Sequence, residues 1–373
     1  MDLKFLVFLA VLALLAAGCA NQAQQAPTQQ APGQSVPAAG IPPAPATLPQ
    51  PEQASTAPEP VVPNASEPTQ APVEEKEVAP AAPETPEAVQ APPEKKTLQI
   101  EWSNDAGTRI SDGSVPFALK LKDGRVRLYY CGAGGILSSI SSDGLNFQKE
   151  SGVRFNSNQG GTCDPSVISL PDGRFRMYYK IAFGQGGPGL AVHNVYSAIS
   201  DDGLAFRDEG IRIDSQKSGD EGWASVPEAI MLEDGSIRIY YVSGDYAARG
   251  GTMSAISSDG LEFQKEEGAR AEALVDPAAL RMPDNSFLLF AVSLPAPPGV
   301  EQSLPQGIYM QGSEDGLQFG APVSVLQEDG VYDPSVIETG ENTFRIYYGK
   351  NIGSESLMGQ NIVVKSISGK VVG

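Results

Sequence analysis

The sequence predicts an all-β fold, a five-bladed β-propeller with four strands per blade, and three observations predict it. A phrase that reads as strand, tight turn and strand occurs five times after Leu98. A second phrase, Ser-x-Asp-Gly-x-x-Phe, follows four of those copies. The missing fifth copy of its last strand is matched at the start of the folded part, by Trp102 to Ile110. A period of about 50 to 60 residues is the signature of a repeat whose units bury their faces on one another.

The first phrase runs from Val115-Pro116-Phe117 through Asp123-Gly124 to Tyr130 and returns from Asp164-Pro165-Ser166 through Asp172-Gly173 to Tyr179. It recurs at Val226-Pro227-Glu228 with Asp234-Gly235, at Asp276-Pro277 with Asp284-Asn285, and at Asp333-Pro334 with Glu341-Asn342. Turns of this composition between alternating apolar residues mark hairpins, because Gly and Asn tolerate the positive φ that tight turns need. The second phrase, at 141–147, 200–206, 257–263 and 313–319, is another strand-turn-strand. Two hairpins per repeat make a four-stranded blade.

The fifth repeat has a third strand, Asn361 to Ser368, but too little chain after it for a fourth. Trp102 to Ile110 reproduces the spacing of Phe147 to Phe155, so the N-terminal strand is expected to complete the last blade and close the ring. Closure leaves no open sheet edge between first and last blades.

Ahead of the propeller, 98–373, lie two segments of different character. Lys4 followed by the apolar run Phe5 to Ala17 is too short for a spanning helix of about 20 residues and reads as an export signal. Its end, Leu15-Ala16-Ala17-Gly18-Cys19, resembles the lipobox of bacterial lipoproteins, which implies lipidation of Cys19 and a membrane anchor on the extracytoplasmic side. Residues 20–97 are dominated by Pro, Ala, Gln and Glu, bury too little to offset ordering entropy, and are expected to form a disordered tether. A flexible chain of this length reaches on the order of 50 Å.

A net charge of -19 argues against a nucleic-acid partner, which calls for clustered Lys and Arg. The glycines from Gly184 to Gly189 lie in a blade loop rather than between strand and helix, so no nucleotide cofactor is expected. The single histidine, His193, follows that loop and reads as a solvated residue, which leaves no basis for a metal cluster or a Ser-His-Asp triad. Export permits a disulfide, and Cys131 and Cys163 end one hairpin and begin the next on the same face.

Ser-x-Asp-Gly-x-x-Phe resembles the Asp-box of sialidases, shortened by one residue. Its physics is local, so Asp143, Asp202, Asp259 and Asp315 are expected to brace turns and not to form a site. Asp-Pro at the start of an inner strand, with a turn nine residues later, resembles the five-bladed propeller glycosidases of the arabinanase and β-xylosidase group. That resemblance implies an axial cleft holding an Asp base from blade one, a tuning Asp from blade two and a Glu acid from blade three, since glycoside hydrolysis needs two carboxyls flanking the bond.

Carried over by position, Asp164 matches the blade-two residue, Val115 stands where the base belongs and Val226 where the acid belongs. Glu228, two residues beyond Val226 and so on the same face of the strand, is the candidate acid. Asp112, three residues before Val115, is the nearest acid in blade one. Asp164 and Glu228 are therefore the catalytic candidates, with Asp276, Asp333, Lys180, Asp245, Tyr246 and Lys350 as ligand-binding candidates around the same funnel. Capping of strand entries explains the recurring aspartates equally well. Three readings follow: a glycan-binding, non-catalytic propeller on a lipid anchor; a divergent glycoside hydrolase; and a protein-binding propeller.

Overall fold

The computed structural model describes residues 98–184, 191–244, 251–295, 304–353 and 361–372. Cys19 and the segment 20–97 lie outside them. Blade one comprises β2 (Ser114–Lys120), β3 (Val126–Gly132), β4 (Gly135–Ser141) and β5 (Gln148–Lys149). Blade two follows as β6 (Gly161–Ser169), β7 (Phe175–Phe183), β8 (Val192–Ser200) and β9 (Arg207–Ile213). Blade three is β10 (Ala224–Met231), β11 (Ile237–Ser243), β12 (Gly251–Ser257) and β13 (Gln264–Lys265), with β14 (Ala271–Glu272) added to β12. Blade four is β15 (Val275–Arg281), β16 (Phe287–Ser293), β17 (Gly307–Ser313) and β18 (Val323–Gln327). In blade five β19 (Val331–Gly340), β20 (Thr343–Asn351) and β21 (Ile362–Val371) pair in turn, and β1 (Ile100–Asn104) takes the outer place beside β21. The expected all-β propeller and its N-terminal closure are both present.

Each blade's first strand packs against the first strand of the next, β2 to β6 to β10 to β15 to β19 and back to β2. A shared device holds four of the five seams. In the second phrase the Asp accepts the two following backbone amides, as Asp143 does from Leu145 and Asn146 at 2.8 Å. The turn's glycine carbonyl then receives a buried tyrosine hydroxyl from the preceding blade: Tyr129 to Gly203, Tyr178 to Gly260, Tyr240 to Gly316 and Tyr347 to Gly144, at 2.8 to 2.9 Å. The phenylalanine of the phrase meets the same tyrosine edge-on, with centroids 5.7 to 6.1 Å apart. Such aromatic pairs add about 0.5–1.5 kcal/mol beyond area burial.

Among the described residues the fourth-to-fifth seam has no such turn, since the outer strand of blade five is β1, which is not joined to β21 by a hairpin. The sequence has changed in step. Leu288 and Phe290 stand where the other blades carry Arg and Tyr, and Trp102 replaces Phe, meeting Phe290 edge-on at 6.0 Å. An apolar seam thus replaces a hydrogen-bonded one.

Candidate functional site at the axial strand entries

All five inner strands slip register by one residue at the X-Pro step, as between Ser225 and Glu228 against β11. The residue before proline has positive φ every time: Val115, Asp164, Val226, Asp276 and Asp333 lie between 47° and 55°. Proline suits such a bulge, since it has no N–H to leave unpaired. Bulges of this kind re-aim side chains and are frequent near functional sites. The αL conformation is tolerable for Asp and strained for a β-branched Val.

The bulge carboxylates link blades. Asp164 accepts Ser225 Oγ at 3.1 Å and the Val226 amide at 3.2 Å, and pairs with Lys180 Nζ at 3.0 Å, with Asp164, Ser225 and Lys180 all buried. Asp276 accepts the Asp333 amide at 3.4 Å. Although Asp276 and Asp333 keep some surface open to solvent, the protein packed around them dominates their electrostatics. Burial pushes Asp276 up to about 7, reinforced by the nearby Asp164 charge and opposed by Lys180 and the Asp333 amide. Burial also holds Asp333 well above the carboxylate range, with Asp276 and Asp164 adding to the shift. The fold therefore gathers Asp164, Lys180, Asp276 and Asp333 into one interacting group, three acids around one cation.

Glu228 is placed differently from the regular-alternation expectation. The bulge inserts one residue ahead of it, so Glu228 does not share the face of Val226. One oxygen accepts the Ala279 amide of blade four at 3.2 Å, and the other accepts Ser166 Oγ of blade two at 3.4 Å. Ser166 and Ser335 do the same work from equivalent positions, each accepting the next blade's amide, Ala229 and Ala118, at 2.9 Å. Burial raises Glu228 to about 8 against the lowering effect of its two donors.

Lys350 is held by Glu328 at 2.8 Å and by the Asp329 carbonyl. Asp112 pairs with Lys149 at 2.5 Å on an exposed surface. Asp245 and Tyr246 lie outside the described residues. Cys131 and Cys163 are joined in a disulfide between blades one and two, with Cα atoms 5.4 Å apart, and Cys131 Sγ also accepts the Asp164 amide at 3.2 Å. Those two sulfurs and Asp164 form the only close trio of metal-ligand types among the described residues, and the disulfide removes the thiolates a metal would need.

His193 is not a solvated loop residue. It is the second residue of β8 and 2 % exposed, its ring stacked on Trp223 at 3.7 Å with Nδ1 3.4 Å from Ser225 Oγ. Burial, helped by the Lys180 charge, lowers it to about 2, so it is neutral. Ser225, Trp223 and His193 form the wall behind Asp164, a group unforeseen because it spans blades two and three. The one available signal was Trp223, an indole directly before an inner strand.

No family model and no curated protein matches the chain. Solved structures do match in fold. A thermostable family-43 glycoside hydrolase aligns with a TM-score of 0.54 at 16% identity, covering 70% of this chain and 91% of that one. An endo-arabinase from Bacteroides thetaiotaomicron gives 0.52 at 13%, covering 72% and 98%. A family-32 β-fructofuranosidase from Bombyx mori gives 0.53 at 12%, covering 69% and 61%. The fold is thus that of the five-bladed propellers whose structural neighbours are glycoside hydrolases.

Proposed function

We propose that the propeller binds a glycan at its axial face without hydrolysing it, on a chain exported and anchored through lipidated Cys19. The observation that carries this reading is the pair of valines at the bulges. The positions that the arabinanase and β-xylosidase resemblance assigns to the base and the acid hold Val115 and Val226, while Asp276 and Asp333 stay partly open at the same face to accept from sugar hydroxyls, beside the buried Asp164–Lys180 pair. Glu228 commits both oxygens to neighbouring blades. The fold neighbours support carbohydrate as the ligand class.

The test is a glycan array with calorimetry on the Cys19→Ser chain, together with chromogenic glycosides of the arabinoside, xyloside and galactoside types. Binding without turnover, weakened at least tenfold by Asp276→Asn, is expected. Turnover of any glycoside would refute the non-catalytic reading. Cys19→Ser should also move the protein from the membrane to the soluble fraction, and continued sedimentation with membranes would refute the anchor.

One observation favours the hydrolase alternative: Glu228, raised to about 8, is protonated at neutral pH as a general acid must be. On that reading Glu228→Gln lowers turnover by about 10² or more while affinity persists.

A further inference from the structure

We infer that the glycan taken at the axial face carries an amine, held as an ammonium between Asp276 and Asp333; this rests on the glycan-binding reading and narrows it to amino sugars. Consecutive blades pack first strand to first strand, so the bulge residues Val115, Asp164, Val226, Asp276 and Asp333 follow one another around the axis. Asp276 and Asp333 are the adjacent acids, linked by the Asp333 amide on Asp276 Oδ2 at 3.4 Å. Asp164 stands between two valines. The three carboxylates are unequally provided for. Asp164 accepts two hydrogen bonds and holds the Lys180 ammonium. Asp276 has one long amide bond, and the Asp333 carboxylate has no hydrogen bond or ion pair among the described residues. Around them Val115 and Val226 carry no charge, Glu228 is engaged by the Ala279 amide, and Lys350 is held by Glu328 and the Asp329 carbonyl. Half-buried neighbouring carboxylates without a counter-ion retain protons that a bound cation would replace. Burial foremost, and nearby carboxylates after it, hold both acids up.

A second feature points to a saccharide rather than a bare cation. Gln306, directly before β17 at the same end of blade four, is 9 % exposed, and its amide Nε2 has no hydrogen-bond partner among the described residues. Burial foremost raises the Tyr332 hydroxyl, the Gln306 amide opposes that shift, and the charges of Asp333, Asp276 and Asp329 add to it. The amide and the acid pair therefore gather about one hydroxyl, although Nε2 makes no bond of full hydrogen-bond geometry to it. A buried donor left unpaired costs stability, and such groups in native folds call for a partner. A sugar hydroxyl oxygen is an acceptor that fits. Two carboxylates for an ammonium and an amide donor for the hydroxyl next to it match a 2-amino-2-deoxy sugar.

Calorimetry on the Cys19→Ser chain, with EDTA present, compares the glucosamine disaccharide, its N-acetylated form, xylohexaose and spermidine. The amino disaccharide is expected to bind at least tenfold more tightly than its acetylated form and than spermidine. Its binding at pH 6 should release protons, read from the dependence of enthalpy on buffer ionisation. Asp333→Asn should cut the preference for the amine below threefold and abolish the proton release. Gln306→Met should weaken the amino disaccharide at least fivefold while the Tm of the free protein holds or rises, because an unpaired donor is removed. Equal affinity for the acetylated form or for spermidine overturns the amine assignment, and binding of xylohexaose in that case leaves the glycan reading standing. A lower Tm for Gln306→Met would show that the fold itself satisfies Nε2 and would remove the hydroxyl contact. Failure of all three saccharides to bind overturns the glycan reading and this inference with it.

Discussion

The indole of Trp102 occupies the space a side chain at Gly369 would need: a Cβ built on Gly369 would lie 2.5 Å from the ring. The equivalent pair in blade one is Phe147 and Ser141. The seam therefore changed both partners together, a larger ring against a smaller residue. Gly369→Ser, which restores the repeat's own residue, is expected to lower stability by about 1–3 kcal/mol through overpacking. Trp102→Phe should recover part of that loss in the double variant. Urea denaturation of the four proteins closes the cycle, and strictly additive effects would contradict the coupling.

The blade count, the closure by β1 and the bracing role of Asp143 and its equivalents were legible because they rest on local turn chemistry repeated at a fixed period. The placement of Glu228 was not. Regular alternation put it with Val226, and one inserted bulge residue reversed that, a single-step error that flips a side chain to the other face. His193 was misread because it lies next to a glycine-rich loop in sequence, whereas its burial comes from Trp223 thirty residues later. Asp276 and Asp333 looked like strand caps, and their bonding does link blades. What composition could not reveal is that they share electrostatics with Asp164 and Lys180.

The disulfide ties blades one and two across a separation of 32 residues. Loop-closure entropy for a cross-link of that span is about 3–4 kcal/mol. Replacing both cysteines with serine is expected to lower unfolding stability by that amount. Because Cys131 Sγ receives the Asp164 amide, ligand affinity at the axial face should fall as well. Calorimetric unfolding checks the first effect and sugar titration the second. A double variant as stable as the parent would show that the ring itself supplies the constraint.

Val115 holds φ at 52°, a conformation β-branched residues resist. The ring imposes it, because the same bulge recurs in every blade whatever residue is present. Asn enters αL readily, so Val115→Asn is expected to stabilise the fold by about 1 kcal/mol, the order of strain released at such a position. Thermal unfolding measures it. A fall in Tm would mean that the apolar contacts of Val115 outweigh its backbone strain.

Glu228 makes stability depend on pH in a direction opposite to that of an ordinary paired carboxylate. Its unfolded value is near 4.5, and burial raises the folded value to about 8. Between those values the folded state holds a proton that the unfolded state has released, so unfolding stability falls as pH rises through that window. The contribution is fully present below about pH 4.5 and lost by about pH 8. Its steepest slope is about 1.4 kcal/mol per pH unit, one proton's worth. Asp276, raised to about 7, acts with the same sign over the lower part of the range. Glu228→Gln keeps an acceptor for the Ala279 amide but carries no titrating proton. The variant should therefore match or slightly trail the parent at pH 5 and exceed it at pH 8. Chemical denaturation of both proteins at half-unit steps from pH 4.5 to 8.5 reads the difference directly. Parallel curves across the whole range would show that Glu228 ionises in the folded protein as it does in the unfolded chain, and the burial argument at that position would fail.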